Sequence, residues 1–150
     1  MRSLYRRRQI GWTILLTLGL AALFAAAAGL TTLRWTLFLI VAVMILSGLL
    51  FSSLTIEVTE SELLWFFGPG FLKRRIARSE IVSAKPAHNR WWWGWGVHLT
   101  PRGWLYNVHG LESVEIVKTD GESLLLGTDE PQALASALSF RTRDRLAGEA

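Results

Sequence analysis

Two stretches of this chain, Gln9 to Leu33 and Trp35 to Ile56, hold no charged side chain and are separated only by Arg34. A helix of about 20 apolar residues rises roughly 30 Å, the thickness of a bilayer's hydrocarbon core, so each stretch is long enough to cross one. The sequence therefore predicts two membrane spans, near 11–30 and 35–54. Composition agrees: 51% of the 150 residues are apolar, and the charged share of 19% lies below the ~25% usual in soluble domains. The residues after position 54 are enough for one small water-facing core.

The formal net charge of +4 suggests nucleic acid until the charges are located. Residues 1–54 carry five arginines (2, 6, 7, 8 and 34) and no acid, whereas residues 55–150 carry 11 Lys and Arg against 12 Asp and Glu. The basic excess belongs to the membrane part, and no nucleic-acid partner is expected. Four arginines before the first span place the N-terminus in the cytoplasm, and a second span returns the chain there. Both termini of this multi-pass arrangement are then cytoplasmic, with Trp12 and Trp35 near opposite interfaces. A cleavable signal peptide is the rival reading, since the Arg-rich start, an apolar core and Ala25-Ala26-Ala27 resemble one. The absence of cysteine excludes a disulfide scaffold.

From Thr55 the pattern changes to short β-branched and aromatic runs separated by turn residues, which predicts antiparallel sheet. About eight strands are expected, near 54–58, 62–67, 71–77, 80–85, 95–100, 103–108, 113–119 and 122–126. Asp120-Gly121 signals a two-residue hairpin. Thr100-Pro101-Arg102-Gly103 suits a type I turn and sets a register in which paired residue numbers sum to 203. That register puts Leu99, Trp104, Val97, Tyr106, Trp95 and Val108 on one apolar face, so Trp95 and Trp104 are expected in the core. A closing helix follows Pro131 and runs to about Phe140–Arg145, with Asp129 and Gln132 read as a capping box and Leu134, Ala137 and Leu138 as its apolar stripe. Residues 55–145 form one domain, and residues 146–150 are expected to fray.

The phrases Trp92-Trp93-Gly94-Trp95-Gly96, Gly103-Trp104-Leu105-Tyr106-Asn107-Val108 with Gly110, Val114-Glu115-Ile116 and Gly127-Thr128-Asp129-Glu130-Pro131 resemble those of small bacterial membrane proteins with a pleckstrin-homology-like (PH-like) domain. The resemblance covers roughly residues 55–140 and extends to the spans. It implies a two-helix transmembrane hairpin followed by a mainly antiparallel β PH-like barrel or sandwich with a C-terminal α-helix, in the inner membrane. It says almost nothing about activity. Eukaryotic domains of this fold hold phosphoinositides with basic residues around their first hairpin loop. Here that loop, Thr59-Glu60-Ser61-Glu62, is short and acidic, so any lipid contact needs another place.

No nucleophile elbow, phosphate loop or metal-ligand motif is present. His88, His98 and His109 are the only histidines, and the 203 register keeps His98 and His109 too far apart to share an ion. Asp129 and Glu130 could be imagined as an acid/base pair, but a helix start explains them. No enzyme activity, metal, cofactor or small-molecule substrate is expected. Lys73, Arg74, Arg75 and Arg78, with Phe67 and Phe71 at a hairpin tip beside the membrane, are the candidate lipid contacts. Trp91, Trp92 and Trp93 cannot all face one way in a strand and are the candidate partner-binding residues. Ala21, Ala25 and Gly29 form a small-residue stripe that suits packing between the spans. Two functions follow: a membrane-anchored cytoplasmic module binding a protein partner, or a module contacting anionic lipid or sensing the envelope through its basic hairpin.

Overall fold

The computed structural model describes residues 3–32 and 34–148, with side chains in 3–32 and 34–139. Strand β1 (Ser3–Ile10) leads into helix α1 (Trp12–Thr32), and α2 (Trp35–Leu50) returns the chain to β2 (Ser53–Thr59). Next come β3 (Glu62–Phe67), β4 (Phe71–Ala77), β5 (Ile81–His88), β6 (Gly96–Thr100), β7 (Gly103–Asn107), β8 (Glu112–Lys118), β9 (Ser123–Gly127) and the closing helix α3 (Pro131–Gly148).

The first strand is a departure from the sequence expectation. Residues read as a basic flank pair along the length of β2, from Ser3 opposite Thr59 to Ile10 opposite Ser53. Three arginines show why the chain tolerates this. Arg6 lies 4.0 Å from Glu57, the Arg8 Nε–H donates to the Ser53 hydroxyl, and Arg7 reaches Asp129 at 2.7 Å and Glu130 at 3.1 Å. The helical pair is thus an insertion between two hydrogen-bonded neighbours of one sheet: the Gly11 N–H donates to the Ser52 carbonyl at 2.8 Å. Arg2, counted in the flank, lies outside the described residues.

α1 is long and apolar enough to cross a membrane. α2 is shorter than the expected second span, because residues 53 to 56 peel away into β2, where β-branched Thr55 and Ile56 suit a strand. The helices pack through small residues. A Cβ on Gly29 would lie 3.2 Å from the Phe38 ring and 3.3 Å from Leu37, and Ala22 is buried while Ala21 and Ala25 are only half-buried. The rest of the pair is bare, with Leu20, Leu23, Phe24, Leu30, Trp35 and Leu49 each more than 60% exposed.

The domain is two open sheets, not a closed barrel, with strand orders β1-β2-β3-β4 and β5-β8-β9-β7-β6. Alternation sends Leu54, Ile56, Val58, Leu63, Trp65 and Phe67 of the first sheet into one core with Val114, Ile116, Leu124 and Leu126 of the second. Leu134, Ala135 and Leu138 of α3 complete it. The helix start at Pro131 holds, but α3 continues to Gly148, past the expected end and through most of the tail expected to fray; Glu149 and Ala150 lie outside the described residues. One pair breaks the antiparallel expectation: β7 and β9 run parallel, Leu105 beside Leu125.

Both hairpins form, the first in the expected register and the second with a different loop. β6 and β7 pair in the 203 register, from Gly96 opposite Asn107 to Thr100 opposite Gly103. At the β8–β9 turn the loop between Lys118 and Glu122 is three residues, not two, with the Gly121 N–H donating to Lys118 and Gly121 at φ +84°. A type I turn closed by a left-handed glycine is the usual form of such loops. The burial expected of the first hairpin does not hold. Val97, Tyr106 and Val108 face the core, but Leu99, Trp104 and Trp95, at the two ends of the same face, are exposed. The hairpin overhangs the opposing sheet at both ends, so the right face is covered only in its middle.

Candidate functional site

Antiparallel alternation gathers one set of strand ends beside the helices. β1 ends at α1 and β2 starts from α2, so the β3–β4, β5–β6 and β7–β8 connections share that end. Direct contacts fix two of them. The Gly68 N–H donates to the Ser53 carbonyl, and a Cβ on Gly68 would lie 2.6 Å from the Leu50 carbonyl oxygen. With φ +46° as well, only glycine fits that turn. The Phe67–Phe71 tip therefore abuts the last turn of α2, where Phe51 meets both rings edge-on at 5.1 and 5.5 Å. On the other side, the His109 Nδ1 is 2.6 Å from the Thr13 hydroxyl of α1, and the Gln9 amide donates to the His109 carbonyl.

The β5–β6 connection carries the tryptophans. The Asn89 N–H donates to the Leu111 carbonyl at 2.6 Å, and buried Asn89 accepts from the Ser113 hydroxyl at 2.9 Å, which ties the loop's start to the β7–β8 connection on α1. Trp91–Trp93 then form a 3-10 turn, a geometry that throws successive side chains in different directions. Trp91 and Trp92 are exposed and meet edge-on at 5.7 Å, Trp93 is half-buried, and the Arg90 guanidinium lies 5.1 Å from the Trp92 ring. Gly96 closes the loop opposite Asn107.

The basic residues divide. Lys73, Arg74 and Arg75 are exposed on edge strand β4, and among the described residues no carboxylate pairs with them. Phe67 lies opposite Phe71 and Trp65 opposite Arg74, so β4 has one extra residue between, and Leu72 takes φ +49°. This bulge turns the edge. Beyond it a cavity of about 390 Å³ opens between β4 and the β6–β7 hairpin, lined by Arg74, Arg75, Trp104, Tyr106 and Lys118 among others. Burial holds the Tyr106 hydroxyl above its usual pKa, and the charge of Arg74 opposes the rise. Lys118 is held by Asp120 and Glu122.

Arg78 departs from its expected place among the lipid contacts. It is 8% exposed, and its guanidinium donates to the carbonyls of Thr59, Ala137 and Leu138, joining the first sheet to α3. Asp129 also departs from the expected cap. Its carboxylate accepts two hydrogen bonds from Arg7, which hold it below the usual carboxylate pKa, while the Glu130 N–H is capped by the Thr128 hydroxyl. Tyr5 donates to Glu130, and its partial burial pushes the phenol's pKa up.

The three histidines have separate neighbours: His88 meets Glu112 at 2.8 Å, His98 the Trp95 carbonyl, and His109 Thr13. Two residues of these surfaces were missed in the sequence. Arg90 was legible only as a charge beside the tryptophan block, and Trp104 was assigned to the core because its face was apolar. No protein-family model matches this chain, and no curated protein and no solved structure matches it either.

Proposed function

We propose that this chain is a non-enzymatic, membrane-anchored binding module of PH-like organisation, with α1 and α2 spanning the inner membrane as a hairpin and both termini in the cytoplasm. One observation carries the reading: the hairpin leaves the sheet at Gly11 and rejoins it at Ser52, on hydrogen-bonded neighbours, so a membrane crossing out must be followed by a crossing back. The bare apolar surface of both helices supports it, because a contiguous patch of that size needs an apolar cover. At roughly 24 Å for its 16 residues, α2 is short for a ~30 Å core, a mismatch met by local thinning and by Arg34 reaching outward. A four-stranded antiparallel sheet, a second sheet and a closing helix support the PH-like organisation, and the parallel β7–β9 pair is its departure.

The protein partner docks in the cavity beside β4. Arg74 shares the core-side face of β4 with Ile76, and among the described residues no carboxylate pairs with it. It offers a cation against the aromatic walls of Trp104 and Tyr106 and beside Lys118, whose partners include the lining residue Glu122. This chemistry suits an acidic peptide segment, with a guanidinium fork for a carboxylate. Anisotropy of a labelled glutamate-rich peptide should rise on titration with the full chain in zwitterionic nanodiscs. Arg74→Glu is expected to weaken binding at least ~10-fold, about 1.4 kcal/mol. Equal binding by that variant would sink the docking site.

A second reading has one observation in its favour. Lys73 is the first cation along β4 from the tip that abuts α2, which suits contact with anionic headgroups worth up to ~1 kcal/mol. Lys73 and the Phe67–Phe71 tip then set the domain's orientation on the leaflet.

A further inference from the structure

We infer that the Asn89–Trp95 loop is an interfacial anchor, whose exposed tryptophans lie in the headgroup region of the same bilayer that holds the helices. The inference rests on reading α1 and α2 as membrane spans, and it gives the tryptophan block a lipid occupant in place of a protein one.

Both ends of the loop are pinned to the segment that sits on the start of α1. At one end Asn89 donates to Leu111. At the other Gly96 pairs with Asn107, one residue from Val108, whose Cβ would lie 3.1 Å from a Cβ on Gly11. Neighbouring strands are about 4.8 Å apart, so the loop stands beside the first turn of α1 at the level of Trp12. Trp12 itself is 57% exposed, and Trp91, Trp92 and Trp95 are 71%, 58% and 39% exposed.

Exposed indoles at that height match the preference of tryptophan for the membrane interface, where the ring meets acyl chains and the N–H meets water or headgroup oxygens. The charge has the right sign. Arg90 lies over the Trp92 ring and adds a cation where lipid phosphates sit. A loop built for a soluble partner would have no reason to share a level with Trp12. With the tip abutting α2 on the other side of the sandwich, the loop gives the domain a second support and fixes its tilt.

The chain has no cysteine, which permits single nitroxide labels on the full protein in anionic vesicles without any partner. Labels at Trp92→Cys, Asp120→Cys and Val43→Cys report the loop, the far β8–β9 turn and the middle of α2. The inference expects Val43 to be accessible to oxygen and closed to a water-soluble nickel reagent, Asp120 to show the reverse, and Trp92 to lie between them, several-fold more protected from nickel than Asp120. Trp91→Cys should repeat the Trp92 result. If Val43 is open to the nickel reagent, the membrane reading fails. If Val43 is deep and both tryptophan positions match Asp120, the membrane reading stands and the anchor is overturned, which leaves the loop to a protein.

Discussion

Trp65→Ala is expected to cost about 3–5 kcal/mol of stability, the range for removing a buried large aromatic, whereas Trp104→Ala and Trp95→Ala should each cost clearly less, about 1–2 kcal/mol. Trp65 is 2% exposed. It lies between Ile56 on β2 and Arg74 on β4, and its ring meets Tyr106 of the opposing sheet edge-on at 5.3 Å. Truncation would open a void where the two sheets touch, and close packing leaves little to refill it. Trp104 and Trp95 keep 49% and 39% of their surface exposed, so less apolar burial is lost with either than with Trp65. Thermal melts of the detergent-solubilised full chain decide this, and equal losses at positions 65 and 104 would contradict the placement of the core.

The largest effect should come from β1. Removing residues 3–10 strips β2 of its neighbour along seven residue pairs and releases Arg7 from Asp129 and Glu130. Each unmade hydrogen bond costs about 0.5–1.5 kcal/mol, so the sum is comparable to the ~5–15 kcal/mol that separates a folded domain from its unfolded chain. A fragment starting at position 53 is therefore expected to aggregate or remain unfolded. The converse deletion should succeed. Gly11 donates to Ser52 across the insertion, so replacing residues 12–51 with Asn-Gly should close β1 and β2 as an ordinary hairpin. Size-exclusion chromatography and far-UV circular dichroism should show a water-soluble β-rich protein for the spliced chain and not for the truncated one. A well-folded 53–150 fragment would remove β1 from the account of the fold.

What the sequence revealed follows the range of its signals. The 203 register was legible because Pro101 and Gly103 fix a turn locally, and Pro131 marked a helix start because its missing N–H costs nothing there. The parallel β7–β9 pair has no such mark, since it joins strands separated by a third and depends on how the whole sheet assembles. β1 was hidden because Arg6, Arg7 and Arg8 read equally well as a membrane flank, and only partners as distant as Asp129 show their use. Arg78 sat in a run of charges, and its burial rests on carbonyls of α3 that no nearby residue announces. The exposure of Trp95 and Trp104 had the same source. Alternation gives the face, but the extent of the opposing sheet decides how much of that face is covered.

The sites divide in the same way. Lys73 to Arg75 were legible as a basic run, and Trp91 to Trp93 as a block unsuited to a strand. Their surroundings came from topology: the β5–β6 loop stands at the helix end of the sandwich, and the cavity beside Arg74 opens towards Lys118, six residues along β8 from Glu112, roughly 20 Å from that end.

The central claim is that the helical pair crosses a membrane and returns, leaving the sandwich on the cytoplasmic side. A membrane-impermeant maleimide applied to intact cells that express single-cysteine variants of the full chain tests it most directly. The account predicts that Arg34→Cys, in the connection between the helices, is labelled from outside, and that Asp120→Cys is labelled only after permeabilisation. Labelling of Asp120→Cys in intact cells, with Arg34→Cys protected until lysis, would contradict it.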